Sequence, residues 1–514
     1  MKTNKPALTG VSRRTLLGGL AAGSAALLTD SDSASASGGL PRTTPEEVRI
    51  DPAGVLAFVE ATDRLSPGLH SFMLLRHGKV AAEGWWRPYG PNHPHQLYSL
   101  SKSFTSTAVG LAVAEGKLTI EAPVTSFFPD KLPTAISDNM AAMKVRHLLT
   151  MSTGHTQDAT GPTVSAPDGD WVRQFLSLPV QKAPGSLFVY NSAATYMLSA
   201  IVQKLTGMTV RDYLTPRLFK PLGFEEPKWD VCPKGINTGG WGLNVRTEEI
   251  ARFGQMYLQG GVWQGKRILP AAWVSEATTK KIDNGNDPNS DWNQGYCYQF
   301  WRCRNGAFRG DGAFGQYCIV MPEQDAVIAI TSGLNDMQGV LNLVWQHLLP
   351  AIRPASESLS PSSALQERLR GLTIPMLTGK TRSERERTLE GKSYRFAANP
   401  LKLERITMRF QGREPQLALQ DGSGERIMRC GRSSWKESAS PFVSSGGIFA
   451  VPPASKAAAQ GAWTDADTYQ VRICYYETPY FQTLTFKFAG DEVQFHAEAN
   501  VGLPASPTLT GHSV

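Results

Sequence analysis

Apolar and polar residues alternate in two styles along the 514 residues. From about 45 to 352, helical and strand-like periods follow one another. HSFMLLRHGKVAAEGWW (70–86) reads as two strands folded about His77-Gly78. Over 101–115, Phe104, Ala108, Leu111 and Ala112 fall on one helical stripe, and Gly116 stands where a C-cap belongs. TYMLSAIVQKLTG (195–207) repeats that design, again ending in Gly. GQYCIVMPEQDAVIAITSG (315–333) reads as two apolar strands joined by Pro-Glu-Gln-Asp. Strands at both ends with helices between them predict one sheet assembled from the two ends of this region around a helical insertion.

RPASESLSPSSALQERL (353–369) breaks the pattern: its Ser and Pro predict a linker and a short helix, with 353–385 as the connecting segment. From 386 to 514 the style changes. SYRFAANPLKLERITMRF, PQLALQDG, TYQVRICYYET, FQTLTFKFAG and DEVQFHAEA alternate apolar and polar residues between turn signals, which predicts an antiparallel sandwich or barrel over about 390–500. The predicted fold class is α/β (α+β): an antiparallel sheet flanked by helices with a helical subdomain, over 45–352, followed by a C-terminal all-β antiparallel domain.

Composition changes this picture mainly at the N-terminus. The net charge is +7, and Lys2, Lys5, Arg13 and Arg14 lie in the first 37 residues against only Asp30 and Asp32. SRRTLL (12–17) sets paired arginines before the short apolar stretch LLGGLAAGSAALL (16–28), and Ala34-Ser35-Ala36 offers a small-residue cleavage site. That stretch is too short for a membrane-spanning helix, which needs about 20 residues. Residues 1–37 therefore resemble a twin-arginine export signal, which implies a periplasmic or secreted protein without stable membrane insertion after cleavage. The remaining positive charge is spread without a Lys/Arg run, so nucleic acid is not expected as a partner. Six cysteines (232, 297, 303, 318, 430 and 474) contain no C-x-x-C. Cys430 with Cys474 is the one pairing that suggests itself, and free buried thiols are an equal expectation.

The candidate chemistry starts at LYSLSKSFTSTAVGLAVAEGKL (97–118). Ser99 and Lys102, three apart at the entry to a strongly periodic helix, place a hydroxyl near the positive helix end with an amine one turn away. A nucleophile and its activating base fit that spacing; so does a hydroxyl-rich helix cap. The second Ser-x-x-Lys, Ser433 to Lys436, lies between predicted strands with no helix to hold its Lys. There is no G-x-S-x-G elbow and no H-E-x-x-H. GKT at 379–381 lacks the upstream Gly of a P-loop, Ile374 standing there. His93 and His95, in a Pro-rich loop, read as solvent-facing rather than as metal ligands. Trp435, Trp463, Tyr475 and Tyr476 read as strand-core packing rather than as a sugar-stacking surface.

YSLSKSFTSTAVGLAVAEGKL, VRHLLTMSTGH (145–155), PGSLFVYNSAATYMLSAIVQKLTG (184–207) and GGWGLNVRTEEIARFGQMYLQGGVWQGKRIL (239–269), in this order, resemble the serine β-lactamase and penicillin-binding-protein superfamily. The branch of class C β-lactamases, DD-peptidases, related esterases and 6-aminohexanoate-dimer hydrolases is most similar. The resemblance implies a β-lactamase/transpeptidase-like fold and no cofactor or metal. It implies Ser99 as nucleophile, Lys102 and Tyr190 sharing acid and base work, and an oxyanion hole from the backbone N–H groups of Ser99 and Ala313. The implied substrate is a small amide or ester, with a cell-wall peptide among the candidates.

Two positions depart from the family pattern. Tyr190-Asn191-Ser192 puts Ser192 where Asn is usual, and a hydroxyl offers fewer hydrogen-bonding atoms than an amide. Gly310-Asp311-Gly312 puts Asp311 where the family carries Lys or His. Asp311 is expected to repel an anionic substrate, which disfavours β-lactams and favours uncharged amides or esters, or a cationic group nearby; a turn role beside Gly is its plain alternative. Gly312 and Gly315 are expected to let this strand edge approach a substrate closely. Ser192 also reads as a helix N-cap, and Tyr190 as a core aromatic. A non-catalytic binder of cell-wall peptides or glycans is the competing function.

Overall fold

Strand β1 (Leu69–Arg76) is an apolar run buried on both faces, as befits a strand inside a sheet. In the computed structural model, which describes residues 39–65, 68–353, 359–439, 455–502 and 505–514, β1 forms a hairpin with β2 (Lys79–Trp85) about His77-Gly78. Its other neighbour comes from the far end of the region. β3 (Trp301–Arg302), β4 (Phe308–Gly312), β5 (Gln316–Met321) and β6 (Ala326–Ser332) complete an antiparallel sheet in the order β2-β1-β6-β5-β4-β3. Phe72 lies opposite Ile330 and Leu74 opposite Ile328, so the sheet is closed from both ends of the region, as its apolar runs predict.

The pleat sends alternate β1 residues into two cores. Phe72 and Leu74 pack with α1 (Pro52–Thr62) and the helical turns over 337–351, while Met73 and Leu75 pack with the opposite layer. That second layer holds α2 (Ser101–Ala114), α3 (Ser192–Thr206) and α4 (Thr247–Leu258). Every residue of α2 from Ser101 to Ala112 is buried, and several of its hydroxyls bond internally: Ser103 Oγ donates to the Gln299 carbonyl at 2.9 Å and Thr105 Oγ1 to the Gly239 carbonyl at 2.9 Å. Gly207 ends α3 in the left-handed region, at φ 69°.

A short helix, Ser363–Arg370, follows the first region, and the segment after it is packed rather than loose: Leu372 and Ile374 are buried, and Ile374 N donates to the Arg87 carbonyl. Ten antiparallel strands then form a near-barrel: β7 (Ser393–Phe396), β8 (Leu403–Arg409), β9 (Gln416–Asp421), β10 (Gly424–Arg429), β11 (Lys436–Ala439), β12 (Lys456–Trp463), β13 (Thr468–Cys474), β14 (Phe481–Ala489), β15 (Glu492–Ala499) and β16 (Leu509–Ser513). Their order is β10-β9-β8-β7-β16-β15-β14-β13-β12-β11, and Arg429 N at the end of β10 donates to Ser438 Oγ in β11. Trp463, Tyr475 and Tyr476 are buried, in line with packing roles, and Trp435 is half-buried.

Three expectations need correction. Cys430 and Cys474 are not joined: all six cysteines are free and buried, Cys430 facing the near-barrel interior and Cys474 the core shared with β1. His95 is buried rather than solvent-facing, its ring bonding that of His70 in β1. Asp311 is a buried strand residue of β4, not a turn residue. The export signal predicted over 1–37 lies outside the described residues; among those described, no helix is long and apolar enough to cross a membrane.

Candidate active site

The chain enters α2 through a tight turn, Tyr98–Leu100, which sets Ser99 just ahead of the helix and Lys102 on its first turn. The buried Lys102 amine meets three oxygens: Ser99 Oγ at 3.0 Å, Ser192 Oγ at 2.9 Å and the Gly240 carbonyl at 2.8 Å. A carbonyl only accepts, so one N–H is committed to Gly240 in either protonation state. Burial pulls Lys102 from 10.5 down to about 7, against the opposing pull of the Asp158 and Asp311 carboxylates. A neutral amine here can give its two N–H groups to Gly240 and Ser192 and turn its lone pair to the Ser99 hydroxyl.

Ser192 comes from α3. It is not the N-cap: Asn191 is, its side chain accepting from Ala193 N at 3.0 Å. With the cap supplied by its neighbour, Ser192 is the first helical residue and its hydroxyl is free to meet Lys102. Tyr190, half-buried just before α3, stacks on Trp301 with ring centroids 5.4 Å apart, and Lys102 Nζ sits over its ring at 4.8 Å. Burial, and next the Asp311 charge, push the phenol above its usual range; a hydrogen bond with Ser99 and the Arg309 cation act the other way. The phenol therefore keeps its proton.

Asp311 is not a bare anion. Arg309, two residues earlier on the same face of β4, donates from Nε to Asp311 Oδ2 at 2.9 Å, and Trp301 also hydrogen-bonds the carboxylate. Burial raises Asp311 while Arg309, Trp301 and, more remotely, Lys102 lower it. The Arg309 guanidinium lies 4.4 Å from the Trp292 ring centroid and 5.7 Å from that of Trp301, so the charge pair is walled by indoles. The expected repulsion of anions is thus cancelled at its source by Arg309.

Gly312 ends β4 against the Tyr98–Leu100 turn: a Cβ there would lie 2.0 Å from the Leu97 carbonyl oxygen. What this glycine lets approach closely is the Ser99 turn itself. Gly315, at φ 90°, has no room for a Cβ either, which would meet Ser332 Oγ at 2.2 Å. Ala313 follows directly, between these two glycines, partly buried against the near-barrel.

The structure thus brings Ser99, Lys102, Tyr190 and Ser192 into one cluster, with Asp311 within electrostatic reach. Sequence reasoning missed Arg309, Trp301, Gly240 and Gln299. Two opposite charges at i and i+2 in an apolar strand could have flagged Arg309 with Asp311. No signal marked Gln299, whose Nε2 donates to the carbonyls of Leu148 and Leu149, whose Oε1 accepts from Thr195 of α3 and whose own carbonyl accepts from Ser103 of α2, tying three helices together. Among the described residues no group of His, Cys, Asp or Glu is arranged to hold a metal ion.

Residues 62–344 match the family model described as Beta-lactamase. A 6-aminohexanoate-dimer hydrolase of Paenarthrobacter ureafaciens is 28% identical over 291 residues, covering 52% of this chain and 73% of that protein. Penicillin-binding protein 4 of Amycolatopsis lactamdurans is 25% identical over 46% of this chain and 71% of its own length. Esterase EstB of Burkholderia gladioli is 28% identical over 30% of this chain and 45% of its own length. A candidate 6-aminohexanoate-dimer hydrolase from Bacillus anthracis shares the fold, with a TM-score of 0.51 at 19% identity over 61% of this chain and 87% of that one. With the family match running over more than half of its length, the chain belongs to the β-lactamase family and is a serine hydrolase.

Proposed function

We propose that the protein is an exported hydrolase that cleaves an uncharged amide or ester through an acyl-enzyme on Ser99. The observation that carries this reading is the buried Lys102 amine, 3.0 Å from Ser99 Oγ and brought down to about 7 by burial. Lys102 takes the Ser99 proton as Oγ attacks the substrate carbonyl. The backbone N–H groups of Ser99 and Ala313 hold the oxyanion. As the tetrahedral adduct collapses, the carbonyl–heteroatom bond breaks and the leaving group takes a proton from the Lys102–Tyr190 pair. Tyr190 passes its phenol proton to the leaving group and is reprotonated by the Lys102 ammonium, which returns to the neutral amine. Water attacks the acyl ester in the same geometry and frees Ser99.

The substrate class rests on two supports. The Arg309 guanidinium is already paired with Asp311, where the family pattern has a Lys or His, and relatives are named as a 6-aminohexanoate-dimer hydrolase and an esterase. Export rests on SRRTLL and the short apolar stretch that follows it. Intact-mass labelling with a fluorophosphonate tests the core of the reading. One adduct on Ser99, absent from Ser99→Ala, is expected. A folded wild-type protein that takes no adduct overturns it. Replacing Arg13 and Arg14 with Lys should retain the precursor in the cytoplasm, and unchanged export would remove the twin-arginine reading.

A further inference from the structure

Tyr98 and Phe314 flank the two proposed oxyanion donors, Tyr98 just before Ser99 and Phe314 just after Ala313. Both have left-handed backbones, at φ 48° and 67°, a conformation that aromatic residues adopt only when their surroundings impose it. The two rings meet edge to face, 5.5 Å apart. Both also meet Tyr480, from the near-barrel. Its hydroxyl hydrogen-bonds that of Tyr98, and its ring lies 5.9 Å from Phe314. Tyr480 is fully buried.

The segment carrying Tyr480, between β13 and β14, is itself fixed to the hydrolase layer. Gln96 N donates to the Glu477 carbonyl at 3.0 Å, and Tyr89 Oη donates to the Thr478 carbonyl at 3.1 Å. Asn500 Nδ2, after β15, bridges the carbonyls of Gly333 at 2.8 Å and Pro479 at 2.9 Å. Gly502 leaves the Phe314 ring no slack: a Cβ there would lie 2.7 Å from Phe314 Cζ. On the other side of that ring's backbone, Ser332 Oγ donates to the Phe314 carbonyl at 2.8 Å.

We infer that Tyr480 of the C-terminal near-barrel is a positioning residue for the oxyanion hole, its hydroxyl and ring holding the Tyr98 and Phe314 turns so that both backbone N–H groups converge. The inference rests on the Ser99 acyl-enzyme reading. It gives the near-barrel a part in the reaction without contact with substrate. Tyr98 and Phe314 come from segments more than 200 residues apart, and the bond from Tyr480 is what spans them from a third.

The test uses the full chain, with active sites counted by fluorophosphonate. Tyr480→Phe removes one hydroxyl and keeps the ring. The kcat for a p-nitrophenyl ester, per titrated site, should fall about tenfold, with KM within twofold and affinity for a boronic acid that forms a tetrahedral adduct falling in parallel. Tyr98→Phe deletes the same bond from the hydrolase side and reports on it should Tyr480→Phe fold poorly. The double variant should be no worse than either single one. If kcat per titrated site stays within twofold of wild type in either variant, or if the two effects multiply, the inference is overturned. A wild-type protein without fluorophosphonate labelling overturns the acyl-enzyme reading instead, and so separates the two failures.

Discussion

Arg309 and Asp311 face the same side of β4, buried at 0% and 6% exposure, with Arg309 Nε 2.9 Å from Asp311 Oδ2. Deleting one partner of such a pair leaves the other as a buried uncompensated charge, at a cost of about 3–5 kcal/mol. Arg309→Met should therefore lower the unfolding free energy by that amount in urea titrations. The double variant Arg309→Met with Asp311→Asn should recover part of the loss. A single variant as stable as wild type would remove the pair from the fold's energetics.

Lys102 links activity to pH. With Lys102 near 7, the base is protonated and idle on the acid side. The kcat/KM should accordingly rise through an inflection near pH 7 and flatten above it. Lys102→Ala should lose turnover across the range. Stability carries the same signature. Below pH 7 the native state must hold a buried ammonium, and between about 7 and 10.5 it binds fewer protons than the unfolded chain, so stability rises with pH across that window. Lys102→Met removes this slope. Urea midpoints for both proteins from pH 6.5 to 10 measure the difference, and parallel curves would refute the lowered value.

Gly312→Ala tests the closeness of β4 to the nucleophile turn. The added methyl collides with the Leu97 carbonyl, a backbone atom that cannot step aside without moving Ser99. Losing the alignment of one oxyanion donor costs about 3–4 kcal/mol of barrier, so ester turnover should fall at least a hundredfold. An active Gly312→Ala protein would show that the oxyanion hole lies elsewhere.

The elements with strong periodicity were legible from sequence because each buries its own apolar pattern: α2, the β1–β2 hairpin, and β5 with β6. Ser99 and Lys102 were legible as a pair because their spacing is local, whereas Tyr190 entered only through the family resemblance. What was hidden depends on contacts over long separations. Gly240 lies 138 residues from the amine it holds, and nothing about a Gly-Gly pair announces a carbonyl acceptor. Tyr480 is one aromatic among many until its hydroxyl is seen against Tyr98. The charge of Asp311 stands alone when only the Gly-Asp-Gly motif is read, while its partner Arg309 lies two residues away on the same face. Pro91 and Pro94 beside His95 mark a surface turn in the sequence, yet its ring is turned inward.

That inward turn has a consequence in acid. The Gln96 carbonyl can only accept, so His95 donates to it from Nδ1 at 3.0 Å, and its Nε2 accepts from His70 Nδ1 at 3.0 Å. Both rings must be neutral for this chain. Burial pulls His95 down to about 4, against its backbone hydrogen bonds, and His70 well below its usual range, where the His95 charge lowers it further. Tyr89 stacks on His70 at 3.8 Å while donating to Thr478, so the pair lies under the contact between the near-barrel and the hydrolase layer. A histidine lowered in the native state binds its proton only after unfolding. Its contribution is therefore intact above the unfolded value near 6.5 and is lost as pH falls from there toward 4. For His95 alone this is about 2 kcal/mol between pH 7 and 5. His95→Gln keeps an amide near both partners and cannot titrate, so its unfolding free energy should fall less steeply over that interval, by about the same amount. Chemical denaturation of both proteins at pH 7 and 5 decides the matter, and equal slopes would mean that the buried pair does not govern the acid sensitivity of this contact.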